Sequence, residues 1–406
     1  MERLDLWPEE TARGDGTFVR SLVIDEPGKA RRTLWWAYPE SLSSYVGGDA
    51  DSLVIGVVFL AMQLGRPVRV HGRVSPSLLR NLEEFQAAWV AMQGNLTAVE
   101  ITADEEVEAD RPAQRAGALV PFSGGVDCSF TAYRHVRAAG VRWPRRIGAG
   151  VMIHGFDIPL GDREAFAGAA ARSRRILESL RLPLLTVASN YKEIVADFPH
   201  SHGAAIVSCL ALFSDGFSEG LIGQTFTYAE IRHIAEGINA LTDPLLSSES
   251  FRVIPDGAAF ERADKIKLLG AWEEFRRNLR VCWAGPDKDR NCCNCEKCVR
   301  NILTFRALGL GLPACFERDV SDFRLASVKM GEGLRPFIRY GQLPELAKAN
   351  GTYGTWAKLL VWRLAEMRFR NRWPRLWRRT QRLWYWACRG RARLGRGLLR
   401  GSRVGR

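Results

Sequence analysis

The chain has 406 residues, 46% of them hydrophobic, and a formal net charge of +13. That hydrophobic content supports a substantial core and excludes a wholly disordered chain, and the length suggests two or three domains. No apolar run approaches the ~18 residues that a membrane-spanning helix needs, so no transmembrane segment is expected. The longest candidate, Leu53 to Leu64, is interrupted by a glycine and a glutamine and reads as a buried helix.

The first part of the chain, residues 1–113, predicts a small α/β domain. Strand-like runs occur at Thr17–Ile24 and Thr33–Ala37. Helix-like stretches at Asp51–Leu64 and Ser75–Met92 alternate with short strands at Val68–Val70 and Leu96–Ile101. This part carries no chemical motif and reads equally as a packing or docking module. An acidic stretch, Asp104 to Asp110, followed by Pro112, reads as a linker.

Residues 114–280 alternate strand and helix. Strands are expected at Gly117–Phe122, Ile147–Ile153, Leu184–Ala188, Leu221–Gln224 and Phe251–Ile254. Strands separated by helices imply a doubly wound parallel sheet, with ligands at the strand C-terminal ends. At one such end stands Ser123-Gly124-Gly125-Val126-Asp127, after the apolar run Ala118–Phe122 and before a helix-like segment from Ser129 to Ala139. Two glycines let backbone N–H groups turn inward without a Cβ in the way. The helix that follows directs its free N–H groups and positive dipole end at the same spot, and Ser123 adds a hydroxyl donor. Asp127 does not favour a bare phosphate, and its expected partner is a cation such as Mg²⁺. No Walker A pattern occurs anywhere in the chain. A ligand-free glycine turn remains the alternative.

Residues 281–345 predict a helical module built on cysteines. Cys282, Cys292, Cys295 and Cys298 follow a C-x9-C-x2-C-x2-C pattern, with Cys293 surplus. Two-residue gaps let thiolates fold around one tetrahedral ion, and four sulfurs close its shell, which makes a structural Zn²⁺ site. Disulfides and an iron–sulfur cluster are the alternatives. No secretory leader opens the chain, so its nine cysteines are expected in a reducing, cytoplasmic setting. Cys209, Cys315 and Cys388 are isolated and read as ordinary packing or surface residues.

The two motifs together resemble 7-cyano-7-deazaguanine synthase and its relatives within the PP-loop (N-type) ATP pyrophosphatases. In that superfamily the loop reads Ser-Gly-Gly-x-Asp-Ser and binds ATP. Here Cys128 stands at the last position, with Ser129 next to it. The resemblance covers roughly residues 116–310. It implies ATP and Mg²⁺ held by Ser123, Gly124, Gly125, Val126, Asp127, Cys128 and Ser129, and Zn²⁺ held by Cys282, Cys292, Cys295 and Cys298. Arg262-Ala263-Asp264-Lys265-Ile266 is similar to a late Lys-x-Ile segment of the family. This makes Lys265, and more weakly Arg262, phosphate contacts, while Gly155-Phe156-Asp157 falls where the family places the adenine edge. The Tyr-Pro-Asp-Cys segment that recognises the purine-like base in those enzymes does not occur here. The resemblance is thus to divergent paralogues, some of which act on a protein or peptide.

The last part, residues 346–406, is a basic tail. Residues 356–406 hold sixteen Lys or Arg and one acid, Glu366, whereas the rest of the chain is nearly neutral. Six tryptophans lie in the tail: Trp356, Trp362, Trp373, Trp377, Trp384 and Trp386. Leu359, Trp362, Leu364 and Met367 suggest one helical apolar face. Arginine interleaved with aromatics suits RNA, an anionic membrane surface, or simple packing on the body.

The expected activity is that of an ATP-dependent ligase, with Ser123, Asp127 and Lys265 as the residues that carry it. A carboxylate is adenylylated, pyrophosphate leaves, and the acyl group passes to a nitrogen nucleophile. The substrate is a small carboxylic acid with a nitrogen donor, or a protein or RNA partner. A nucleotide- and zinc-binding module without catalysis is the reading from another class. Of the histidines near these segments, His154, His200, His202 and His233, none forms a Ser–His–Asp or Cys–His pattern.

Overall fold

The computed structural model describes residues 2–112, 115–231 and 233–370, with the side chains of 10–13 left aside. These residues fall into two units. One holds the chain up to Phe305 together with Leu310–Asp319, and the other holds Arg306–Gly309 and the chain from Val320 onward. Strands on both sides of residue 113 share one sheet.

That sheet belongs to the first unit and has ten strands. They are β1 (Leu4–Gly14), β2 (Thr17–Asp25), β3 (Arg32–Pro39), β4 (Val68–Val74), β5 (Ile101–Glu106), β6 (Ala118–Pro121), β7 (Ile147–His154), β8 (Leu184–Ser189), β9 (Glu219–Gly223) and β10 (Arg252–Asp256). Their order is β10-β9-β6-β7-β8-β3-β2-β1-β4-β5. The pairs β8/β3, β3/β2 and β2/β1 are antiparallel and the rest parallel. The architecture is therefore α/β around a mostly parallel sheet.

The helices of this unit are α1 (Asp51–Leu64), α2 (Pro76–Met92), α3 (Val126–Val136), α4 (Arg163–Glu178), α5 (Tyr191–Ile194), α6 (Phe198–Ala211), α7 (Tyr228–Ile231), α8 (Arg262–Leu269), α9 (Glu273–Asn278) and α10 (Glu296–Ala307), the last running on past Phe305. They cover both faces of the sheet. Leu119, Val151, Val187 and Ile222 share a core with residues of α1, α2 and α6. Ala118, Val120 and Leu221 pack with Cys128 and Ala132 of α3 and with Ile176 and Leu177 of α4. Successive strand residues thus enter opposite layers, as a period of two requires. Buried on both sides, these strands read as continuous apolar runs.

Two departures from the sequence expectations have simple causes. The acidic stretch after Ile101 is not a linker throughout, because Ile101–Glu106 is β5, the edge strand beside β4. The expected strand at Leu96–Ile101 thus overlaps it only at Ile101. Charges at an edge discourage pairing with another chain, and Asp104 meets Arg69 at 2.7 Å. Strand β1, which lies outside the expected strands, alternates buried Leu4 and Leu6 with outward Asp5 and Trp7 before Pro8 and an irregularity between Glu9 and Ala12 disturb the pattern.

Strand β3 joins the two halves of the sheet, with Trp36 and Ala37 opposite Ser189 and Ala188. Asn190 reinforces this seam. Its Oδ1 accepts from Trp35 N at 2.9 Å and its Nδ2 donates to Thr33 O at 2.9 Å. Trp36 is fully buried and its Nε1 donates to Ser208 Oγ at 3.3 Å.

The second unit is helical, with α11 (Asp322–Ser327), α12 (Arg335–Tyr340), α13 (Leu343–Ala349) and a helix over 355–370. The buried face of that last helix runs through Trp356, Ala357, Leu360 and Leu364. The expected face included Trp362, which is instead 61% exposed. A stripe from Trp356 in steps of four, through Leu360 and Leu364, leaves Trp362 on the other side. Trp373, Trp377, Trp384, Trp386 and Cys388 lie outside the described residues. Among the described residues no helix is long and apolar enough to cross a membrane.

Candidate functional site

The five parallel strands β8-β7-β6-β9-β10 reverse direction of growth at β6, because β7 and β9 flank it on opposite sides. A crevice outside the strand C-terminal ends at such a reversal is where open α/β sheets bind ligands. Residues 122–125 leave β6 there and lead into α3.

Phe122 anchors the turn, with its side chain buried and its N–H donating to Val151 O at 2.7 Å. Gly124 adopts φ +75°, a left-handed conformation that favours glycine. A Cβ at Gly124 would lie 3.0 Å from Ser173 Oγ of α4. Gly125 is the N-cap of α3 in extended conformation, and no side chain caps the helix. The first N–H groups of α3 thus keep their dipole end clear of protein acceptor side chains. From the other side, Gly223 at the end of β9 approaches so closely that a Cβ there would lie 2.9 Å from the carbonyl carbon and oxygen of Asp127.

Helix α8 packs against α3, and its residues Arg262 and Lys265, three apart, share one face. Both reach Asp127. Arg262 Nη2 donates to Oδ2 at 2.8 Å and Lys265 Nζ donates to Oδ1 at 3.0 Å, while Thr225 Oγ1 donates to Oδ2 at 3.2 Å. Lys265 is 1% exposed and also donates to Gln224 O. Burial acts to raise the Asp127 carboxyl, but Arg262 and Lys265 outweigh it and lower it to about 2. The structure thus brings together the residues singled out in the sequence, but Arg262 and Lys265 are engaged with Asp127 rather than directed at the glycine turn.

The interior side of α3 is occupied by Val126, Cys128 and Ser129, all buried. The Cys128 thiol donates to Gly125 O at 3.3 Å and burial pushes its pKa up. The Ser129 hydroxyl is fully buried with no hydrogen-bond partner.

Three participants carry no signal in the local sequence. Ser173 is fully buried and its hydroxyl, facing Gly124, has no hydrogen-bond partner. Arg280 is 4% exposed, and its Nη1 reaches Ser123 O at 3.5 Å. Asp243 receives Gln224 Nε2 at 2.8 Å and Asn239 N at 3.0 Å. Burial pushes its carboxyl up to about 7 despite these two bonds. A chain Asp243–Gln224–Lys265–Asp127 therefore runs beneath the turn.

The Sγ atoms of Cys282, Cys292, Cys295 and Cys298 all lie within 4.8 Å of one another. Cys282 and Cys295 are 3.6 Å apart, and Cys292 and Cys298 3.9 Å. A tetrahedron with Zn–S bonds of about 2.3 Å has edges of about 3.8 Å, so the set fits a metal such as zinc. A disulfide would bring two sulfurs to about 2.05 Å, and these cysteines are free. The N–H groups of Asn294 and Cys295 donate to Cys292 Sγ at 3.4 and 3.3 Å. Cys293 takes a left-handed φ of +56° and its thiol turns to Asn291 O, outside the group of four. The cluster belongs to the first unit and sits on loops and the first turn of α10, not in a separate helical module.

The histidines have ordinary partners. His154 Nε2 lies 2.8 Å from Pro159 O, His200 Nδ1 lies 2.7 Å from Asp197, and His202 Nδ1 lies 3.0 Å from Pro199 O.

Comparison with family models, with characterised proteins and with solved structures finds no match to this chain.

Proposed function

We propose that the protein is a PP-loop ATP-dependent ligase similar to 7-cyano-7-deazaguanine synthase. It adenylylates a carboxylate, releases pyrophosphate and passes the acyl group to a nitrogen nucleophile. The observation that carries this reading is the convergence of the Ser123–Asp127 turn, at the reversal of strand order, with Arg262 and Lys265 on α8.

In this reading a carboxylate oxygen attacks the α-phosphorus of ATP and the bond to the β-phosphate bridging oxygen breaks. The nitrogen nucleophile then attacks the acyl carbon and AMP leaves. The chain's part is positioning and charge neutralisation. The Ser123 hydroxyl and the N–H groups of Gly124 and Gly125 hold phosphate oxygens. Asp127 fixes Lys265 and Arg262 beside the turn, where their net positive charge favours the departing pyrophosphate. Mg²⁺, when bound with ATP, neutralises phosphate charge. An ionised carboxylate has about four acceptor positions, and protein donors use three on Asp127, so this side chain can offer Mg²⁺ one more. The cysteine group closes its own shell and is structural.

Pyrophosphate release in the presence of Mg·ATP and panels of small carboxylic acids, peptides and RNA tests the reading. Release that depends on one acid class supports it and names the substrate. ATP binding without turnover over all classes supports a second reading, a non-catalytic nucleotide- and zinc-binding module. The engagement of both cations with Asp127 favours that second reading. The nine cysteines, with four poised for a metal, suit a reducing cytoplasmic setting.

A further inference from the structure

Arg280 borders the glycine turn but belongs by sequence to the cysteine cluster. Its amide donates to Gly124 O at 3.0 Å, and its Nη1 lies 3.5 Å from Ser123 O and 3.9 Å from Asp157 Oδ2. Its Nε donates at 2.8 Å to Lys288 O, inside the loop between Cys282 and Cys292. Asn291, the neighbour of Cys292, braces the same segment: its Oδ1 accepts from Val281 N at 2.9 Å and its Nδ2 donates to Leu279 O at 2.8 Å. The cluster therefore holds Arg280 from both sides.

The remaining guanidinium nitrogen, Nη2, is buried without a hydrogen-bond partner. Beside the same glycine, the fully buried Ser173 hydroxyl is likewise without a hydrogen-bond partner and faces Gly124. A buried guanidinium with an unused donor is costly unless an acceptor completes it. Two such donors beside the same glycine, at the uncapped end of an 11-residue helix, make a built anion site rather than a bare helix terminus.

We propose that Arg280 is a phosphate-binding residue of the Ser123–Gly125 turn, held in place by the four-cysteine cluster, so that loss of the cluster's metal disables anion binding at the turn. The ligand is the polyphosphate of a nucleoside triphosphate and the pyrophosphate it releases. The proposal rests on the reading of the turn as nucleotide-binding and adds a residue and a dependence to it. A guanidinium–phosphate contact is charge-assisted, which sets the expected size of the effect.

The test is calorimetric binding of inorganic pyrophosphate and of Mg·ATP to the full chain, with metal content and melting temperature recorded. Arg280→Gln should keep its metal and weaken both ligands by roughly ten- to a hundredfold. Removal of the metal from the unsubstituted protein should weaken pyrophosphate comparably. Pyrophosphate affinity within twofold of the unsubstituted protein in Arg280→Gln, or after metal removal, overturns the proposal and leaves the reading of the turn intact. An unsubstituted protein that binds neither ligand overturns both. Should Arg280→Gln fail to fold, Arg280→Lys decides. It keeps the charge but loses the fork, and should weaken pyrophosphate about fivefold or more, whereas unchanged affinity overturns the proposal.

Discussion

Lys265 lies 3.0 Å from Asp127 in a position that is 1% exposed, so the carboxylate at the head of α3 is the counter-ion of a buried ammonium. This changes what a substitution of Asp127 tests. Asp127→Ala leaves the Lys265 ammonium without a counter-ion, with Gln224 O and the Phe130 ring as its neighbours, and should destabilise the fold by about 3 kcal/mol, in the range for breaking a buried pair. Asp127→Ala combined with Lys265→Met should recover much of the loss. Chemical denaturation of the three proteins checks both outcomes, and any pyrophosphate assay on Asp127→Ala needs that control beside it.

A half-buried carboxyl and a buried one give opposite dependences on pH. Asp127 is depressed, so the stability it contributes is present above about pH 4 and lost as the pH falls toward 2. Asp243 is raised to about 7, so its protonated form favours the fold, and that stability is present below about pH 4 and lost as the pH rises through 7. Asp243→Asn removes the titration, keeps its one oxygen as the acceptor for Asn239 N and pairs its amide nitrogen with Gln224 Oε1 once the Gln224 amide turns over, and should flatten the decline in melting temperature between pH 4 and 8. An unchanged decline would show that Asp243 is not its cause.

The cysteine group should hold about one metal ion per chain. Cys293→Ser should retain it, because the Cys293 thiol faces Asn291 O. Cys295→Ser should lose metal and lower the melting temperature, since the fold of this segment and the ion are coupled. Elemental analysis distinguishes zinc from iron, and visible absorbance would reveal an iron–sulfur cluster.

At the glycine turn, Gly124→Ala should cost about 1–3 kcal/mol, since an alanine there takes a left-handed φ and presses on Ser173. Gly223→Ala should cost at least as much, because the obstacle is the Asp127 backbone rather than a movable side chain. Thermal melts rank the two. Both variants should also weaken Mg·ATP if the turn is the nucleotide site.

Truncation after residue 370 removes twelve arginines and no acid, and spares the buried contacts of Trp356, Leu360 and Leu364. The shortened protein should fold and bind Mg·ATP as before, and lose a salt-sensitive association with RNA or anionic vesicles. Leu360→Ala, by contrast, should destabilise the second unit by about 2–5 kcal/mol. Unchanged polyanion binding by the shortened protein would place that property elsewhere.

What was legible in the sequence was local. Helix α1 matches its expected bounds because an apolar run stops at Gly65, which turns left-handed at φ +61°. The Ser123–Asp127 turn and the cysteine spacing were visible because each is a compact pattern whose geometry follows from its own residues. Strand β1 escaped because Pro8 and adjacent acids mask its alternation, and β5 because an edge strand carries charges that resemble a linker's. Arg280, Ser173 and Asp243 reach the site from distant segments, and no local pattern marks a residue whose role is created by the sheet's strand order. In the helix over 355–370 the apolar residues flank both sides of the buried stripe, so spacing alone does not separate Trp356, which is buried, from Trp362, which is exposed.

The seam at β3 and β8 has a consequence for how the chain is made. During synthesis, residues 1–112 leave the ribosome with the outer edge of β3 open, and its partner Ser189 follows only after more than seventy further residues. Until then Trp36 lacks Ser208 and the Asn190 clasp does not exist. An N-terminal fragment ending near residue 113 would carry that unsatisfied edge permanently, and unpaired strand edges recruit other chains. Long-range pairing of this kind folds slowly, so the nascent first half is the stage at which the β3 edge is most open to pairing with another chain.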